Sequence, residues 1–149
     1  MEVKTKTLGT VDVPDSHIVH IPQGLYGFED YKDYALIDSE YKPFVWMQSL
    51  GEQNLAFLLV DPFLICTDYE IDVDDKNLAE IGISSPKDVV VMVIVTIPAD
   101  GSPVTANLQG PLIINKTNRK CIQAILSDPK WTTKYDIVQN LKKREVSTC

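Results

Sequence analysis

Basic side chains are scarce over most of this 149-residue chain. Residues 1–115 hold 6 Lys or Arg against 18 Asp or Glu, a balance of −12, whereas residues 116–149 hold 8 against 3, a balance of +5. Direct binding to a phosphate backbone takes a clustered basic face, so nucleic acid is not an expected partner. The tail with Lys142, Lys143 and Arg144 is the one stretch that suits RNA, and it reads more simply as a fraying C-terminal helix. Long apolar runs are lacking as well. None approaches the roughly 20 residues that span a bilayer, and the opening MEVKTKTLGT alternates charge where an export signal would be basic and then apolar. No membrane association and a cytoplasmic location are expected.

Histidine and cysteine are few. His17 and His20 form H-x-x-H, which on a strand points the two rings to opposite faces. Cys66, Cys121 and Cys149 are odd in number and widely spaced, which fits neither a disulfide framework nor a zinc site. Cys66 and Cys121 lie in apolar, strand-like runs where a reduced thiol serves as a small hydrophobe, without the base and polar setting of a nucleophile. Catalytic motifs are missing too. There is no strained serine elbow and no Walker lysine, and G-L-Y-G-F lacks the spacing and helix start of a phosphate loop. D-x-D-D-K-N lacks the central glycine and final glutamate of an EF-hand. The expectation is a protein that is not an enzyme, with no metal and no cofactor.

What is present is a single domain's worth of ordinary globular composition, 44% apolar and 23% charged. Short apolar segments alternate with turn residues, the pattern of an all-β, mainly antiparallel domain. EVKTKTLGTVDVP reads as a hairpin around Gly9-Thr10, and His17 to Ile21 as a short strand stopped by Pro22. Gly24 and Gly27 shape a loop carrying Leu25, Tyr26 and Phe28, aromatics placed to cover one end of the core. PFVWMQSL and NLAFLLVDPF are strands, with Ala56–Val60 apolar on both faces. A short helix belongs between Asp72 and Gly82, with Asp74 or Asp75 as N-cap and Gly82 as terminator. Val89–Ile97 is the central strand, followed by two hairpins in series through PADGSP and Asn115–Asn118. From Asp128-Pro129 onward, Tyr135, Val138 and Leu141 recur at helical spacing, and residues after about 138 read as a basic tail or terminal helix. NLQGPLIIN interrupts the most apolar part of the chain. Ala106 and Leu108 keep a core face there, Asn107 and Gln109 a polar one, and Gly110-Pro111 breaks the ladder at an edge, bulge or barrel corner.

Two sets of polar residues are candidates for recognition. Asp68, Glu70, Asp72, Asp74 and Asp75 crowd into DYEIDVDD, either as a solvated loop and helix start or as a surface that steers a basic partner. Gln48, Asn54, Asn107, Gln109, Asn115 and Gln123 either satisfy backbone groups at bends or form a flat contact surface.

In order, IPQGLYGFEDYKDYALID, PFVWMQSL, NLAFLLVDPF, DYEIDV, VVVMVIVTIP, VTANLQGPLIIN and RKCIQAIL resemble the flagellar assembly factor FliW family, from about Ile21 to about Ile137. Met47 stands where leucine is commoner before Gln-Ser, and the lysine-rich tail is not covered. The resemblance implies a small β-barrel-like domain with one or two short helices. It further implies a non-enzymatic regulator that binds cytoplasmic flagellin and, when free of it, binds and antagonises the translational regulator CsrA. On that scheme the acidic set meets the basic surface of CsrA. The amphipathic helices of flagellin's termini seek an apolar patch at Tyr26 and Phe28, or at Phe63. The competing class, a small-molecule-binding β-barrel or an unrecognised enzyme, requires a deep pocket with convergent polar groups.

Overall fold

A computed structural model of the chain describes residues 1–71, 73–83, 85–100 and 103–137. Strands β1 (Glu2–Lys4) and β2 (Thr10–Asp12) form the first hairpin as a separate two-stranded sheet, its turn closed by the Thr5 hydroxyl donating to the Gly9 carbonyl at 2.6 Å. The main sheet holds β3 (Ile18–His20), β4 (Asp33–Asp38), β5 (Val45–Ser49), β6 (Ala56–Val60), β7 (Val89–Thr96), β8 (Thr105–Ala106), β9 (Leu112–Asn115), β10 (Cys121–Gln123) and β11 (Tyr135–Asp136). Its order is β10-β9-β7-β6-β5-β4-β3, with β8 also against β7 and β11 against β8, and every ladder is antiparallel. The two ends of the sheet meet at one bridge, where the His20 N–H donates to the Arg119 carbonyl at 2.9 Å. The result is an open, barrel-like sheet, as expected from the many short apolar runs.

Alternation decides which core each strand feeds. Leu58, Val60, Val93 and Val95 face a core with Tyr69, Leu108 and Trp131, whereas Leu59, Leu112 and Ile114 face a second with Tyr34 and Met47. Both faces of β6 are thus packed, and each fully buried aliphatic side chain contributes about 1.5–3 kcal/mol. A third, smaller core joins Ile81, Ile113, Ile122 and Ala124.

Among the described residues, two helices cover part of this structure. Helix α1 (Pro62–Ile65) starts from Asp61, whose carboxylate accepts the Phe63 N–H at 2.9 Å, and Pro62 fits the first turn because its missing N–H would have no partner there. Helix α2 (Asp75–Glu80) lies where the sequence placed it, with Asp74 as cap and Gly82 leaving it at φ +74°. Gly24 also needs its positive φ, and a Cβ there would lie 2.6 Å from the Glu29 Cα.

Three expectations are corrected. Tyr135 begins a strand, because the outer edge of β8 offers it a ladder through Tyr135–Ala106 and Asp136–Thr105. Val138, Leu141 and the basic tail lie outside the described residues, as do Asp72 and Cys149. His17 closes a 3-10 turn (Asp15–His17), so H-x-x-H does not sit on one strand. Cys66 is the C-cap of α1, its N–H bonded to the Pro62 carbonyl, and not a strand residue. VTANLQGPLIIN is two strands, split so that β8 can carry β11 and β9 can carry β10 on their outer edges.

Candidate functional site

Four of the six amides, Gln48, Asn107, Asn115 and Gln123, are engaged with the backbone through their side chains, whereas Asn54 is exposed. Gln48 is 1% exposed, accepts the Lys6 N–H at 2.9 Å, and places its Nε2 within 3.0–3.3 Å of the carbonyls of Ser49, Glu52, Gln53 and Leu55. It fills the β5–β6 turn. Asn115 donates to the Ile81 carbonyl at 2.8 Å and accepts from Thr117 at 2.8 Å, tying the end of α2 to the β9–β10 turn. At the interruption, Asn107 accepts the Gly110 N–H at 3.0 Å and Gln123 donates to the Gly110 carbonyl at 3.2 Å while accepting from Tyr26 at 3.1 Å. Ala106 and Leu108 are fully buried, whereas Asn107 and Gln109 are half-buried, so the segment keeps a core face through the bend. These bonds shape backbone, and no buried side-chain polar atom among the described residues lacks a partner.

The acidic segment divides by role. Asp68 accepts from the Cys66 thiol and from Lys130, each at 3.0 Å, and Lys130 lies 4.9 Å from the centre of the Trp131 ring. The Cys66 hydrogen bond first, and then Lys130, hold the Asp68 carboxyl below its usual range, and Asp68 in turn raises Lys130. Burial pushes the Cys66 thiol up, with Asp68 adding to it, which suits a thiol donor and not a nucleophile. Asp74 is the α2 cap, accepting the Lys76 N–H at 3.0 Å. Glu70 and Asp75 are exposed.

Asp75 lies on a groove. It is lined by Ile71, Val73, Leu78, Val89, Val91 and Ile113, and Phe63, Ile83 and Ser85 complete a space of about 610 Å³. Phe63 is 44% exposed and stacks at a tilt on Tyr69, ring centres 5.8 Å apart. The structure therefore brings together Phe63 and Asp75, which the sequence had placed in different candidate sites. A second apolar groove of about 500 Å³ includes Tyr41, Trp46, Leu58 and Ile97, with Glu40 as its single carboxylate.

The glycine loop behaves as two parts. Phe28 packs edge-on against Phe57 at 5.1 Å and covers the core, whereas Tyr26, 64% exposed, stands out from it. Neither groove gathers converging acids, bases and donors. No three His, Cys, Asp or Glu side chains among the described residues are grouped to hold a metal ion, and no helix of the described residues is long and apolar enough to cross a membrane. The role of α1 was missed in sequence, although the signal was present in Asp61-Pro62, an N-cap followed by a first-turn proline.

Comparison with known proteins converges on one family. The family model described as FliW protein matches residues 2–137. The chain is similar to the flagellar assembly factor FliW of Treponema denticola, 56% identical over 141 residues that cover 95% of this chain and 96% of that protein. It is 53% identical to that of Treponema pallidum over 144 residues, 97% of this chain and 96% of that one. The fold is similar to the crystal structure of the flagellar assembly factor FliW, with a TM-score of 0.83 and 36% identity, covering 92% and 96% of the two chains.

Proposed function

The chain belongs to the FliW family of flagellar assembly factors, and from that premise we propose that it is a cytoplasmic, non-enzymatic partner switch. It binds flagellin, and when free of flagellin it binds and antagonises CsrA, so that flagellin synthesis follows export. The observation that supports this reading is the meeting of Phe63 and the exposed carboxylate of Asp75 at one apolar groove. An apolar segment of flagellin takes the groove at Phe63, with Tyr26 and Phe28 as the alternative patch. The exposed carboxylates of Glu70 and Asp75, together with Asp72, attract the basic surface of CsrA and repel RNA from it. Asp68 and Asp74 support this contact by fixing Lys130 and α2. Asn107 and Gln109 offer polar contacts at the bend.

Immobilised protein exposed to lysate of a flagellated cell tests this directly. Flagellin and CsrA should both be retained, CsrA should survive RNase treatment, and added flagellin should displace it. Retention of neither, or loss of CsrA with RNase, would overturn the reading.

A further inference from the structure

Strand β7 outruns its neighbour. Residues Val93–Val95 pair with β6, whose ladder ends at Val60–Val93, while β9 continues along the opposite edge to Val89. The Lys116 N–H donates to the Asp88 carbonyl, which makes 88 and 116 a bonded pair. Bonding alternates along an antiparallel ladder, so Val90 and Met92 bond toward β9, and Val91 turns its N–H and C=O to the edge where β6 would be. The residue that would face it is Pro62, which has no N–H and begins α1. Val91 therefore finds no backbone partner on that edge among the described residues. Val89 to Met92 are half-buried, whereas Val93 is 0% exposed, and Val89 and Val91 lie on the groove.

Strand edges in soluble proteins are normally short, charged or covered; VVVM is short and packs partly against α1, but it carries no charge and no proline. We infer that this open half of β7 receives an extended peptide segment from a protein partner, which adds a short strand at Val91 and sets alternate apolar side chains in the groove. Asp75 lines the groove, while Asp61 and Asp88 stand at the two ends of the open stretch in sequence, Asp61 capping α1 and Asp88 beside Lys87. The same carboxylates favour a segment flanked by lysine or arginine. The inference rests on reading the groove as a protein-binding site, and it replaces a docked helix with an added strand.

The test uses the full chain and a short synthetic peptide of alternating Val and Thr with Lys at each end. Its twins carry Glu in place of Lys, or N-methyl groups on the amides that would face Val91. Hydrogen exchange at the Val91 amide should be fast in the free protein and slowed about tenfold or more by the lysine peptide. Methylation should weaken binding about tenfold, as expected for loss of hydrogen bonds at a strand edge. Asp75→Lys should reverse the preference between the Lys and Glu peptides. Unchanged exchange at Val91, equal binding of the methylated twin, or a dimer joined through β7 would overturn the inference. Flagellin that binds without displacing the peptide would also overturn it and leave the partner reading standing. Peptide protection of Val91 with no flagellin binding would support it while removing the partner reading.

Discussion

The two halves of β7 have similar sequences and opposite situations. VVVM and VIVT are both almost wholly β-branched. The second half has β6 on one edge and β8 on the other, and Val93 and Val95 are buried. Among the described residues the first half pairs with β9 alone, because Asp61-Pro62 ends β6 and turns the chain into α1. Neighbours, not composition, set the burial. Polar side chains differ likewise: Gln48 in the closed part is consumed by backbone bonds, whereas Asp75 on the groove is exposed.

The sharpest way to break this comparison is at the closed side. Gln48→Ala should cost roughly 2–4 kcal/mol in denaturant unfolding, because it strands buried backbone groups, while leaving partner affinity unchanged for folded protein. An isosteric pair measures the two halves against each other. Val93→Thr buries a hydroxyl and should cost about 2 kcal/mol, whereas Val91→Thr at the half-exposed site should cost less than about 1 kcal/mol. Phe63→Ala should reverse the pattern, with a stability loss under about 1 kcal/mol but flagellin affinity down about tenfold, near 1.4 kcal/mol. The smallest effect belongs to Asp68→Asn. A lowered Asp68 stabilises the fold above its unfolded pKa of about 3.9 and loses that effect as pH falls through its folded value. Raised Lys130 contributes below about 10.4 and loses its effect as pH rises through its folded value. The difference in melting temperature between wild type and variant should therefore be greatest near neutrality and shrink toward both extremes.

Much of this was legible locally. Asp74 and Gly82 mark the ends of α2 by cap chemistry and positive φ, and Gly110-Pro111 marks the bend. What depended on distant chain was not. Tyr135 has helical spacing to later residues, yet the open edge of β8 made it a strand. The grouping of Phe63 with Asp75 required α1, Ile71, Val73 and β7 to meet, which neither motif reveals alone. The open half of β7 was hidden for the same reason, since its residues match those of the closed half.

The central claim, that the acidic segment from Glu70 to Asp75 recognises a basic protein partner, is tested most directly by titrating CsrA into wild type and into the Glu70→Lys, Asp72→Lys, Asp75→Lys triple variant at low salt. The account predicts that the variant keeps its melting temperature and loses at least about a hundredfold in affinity, about 2.7 kcal/mol, whereas equal CsrA affinity in a folded variant would contradict it.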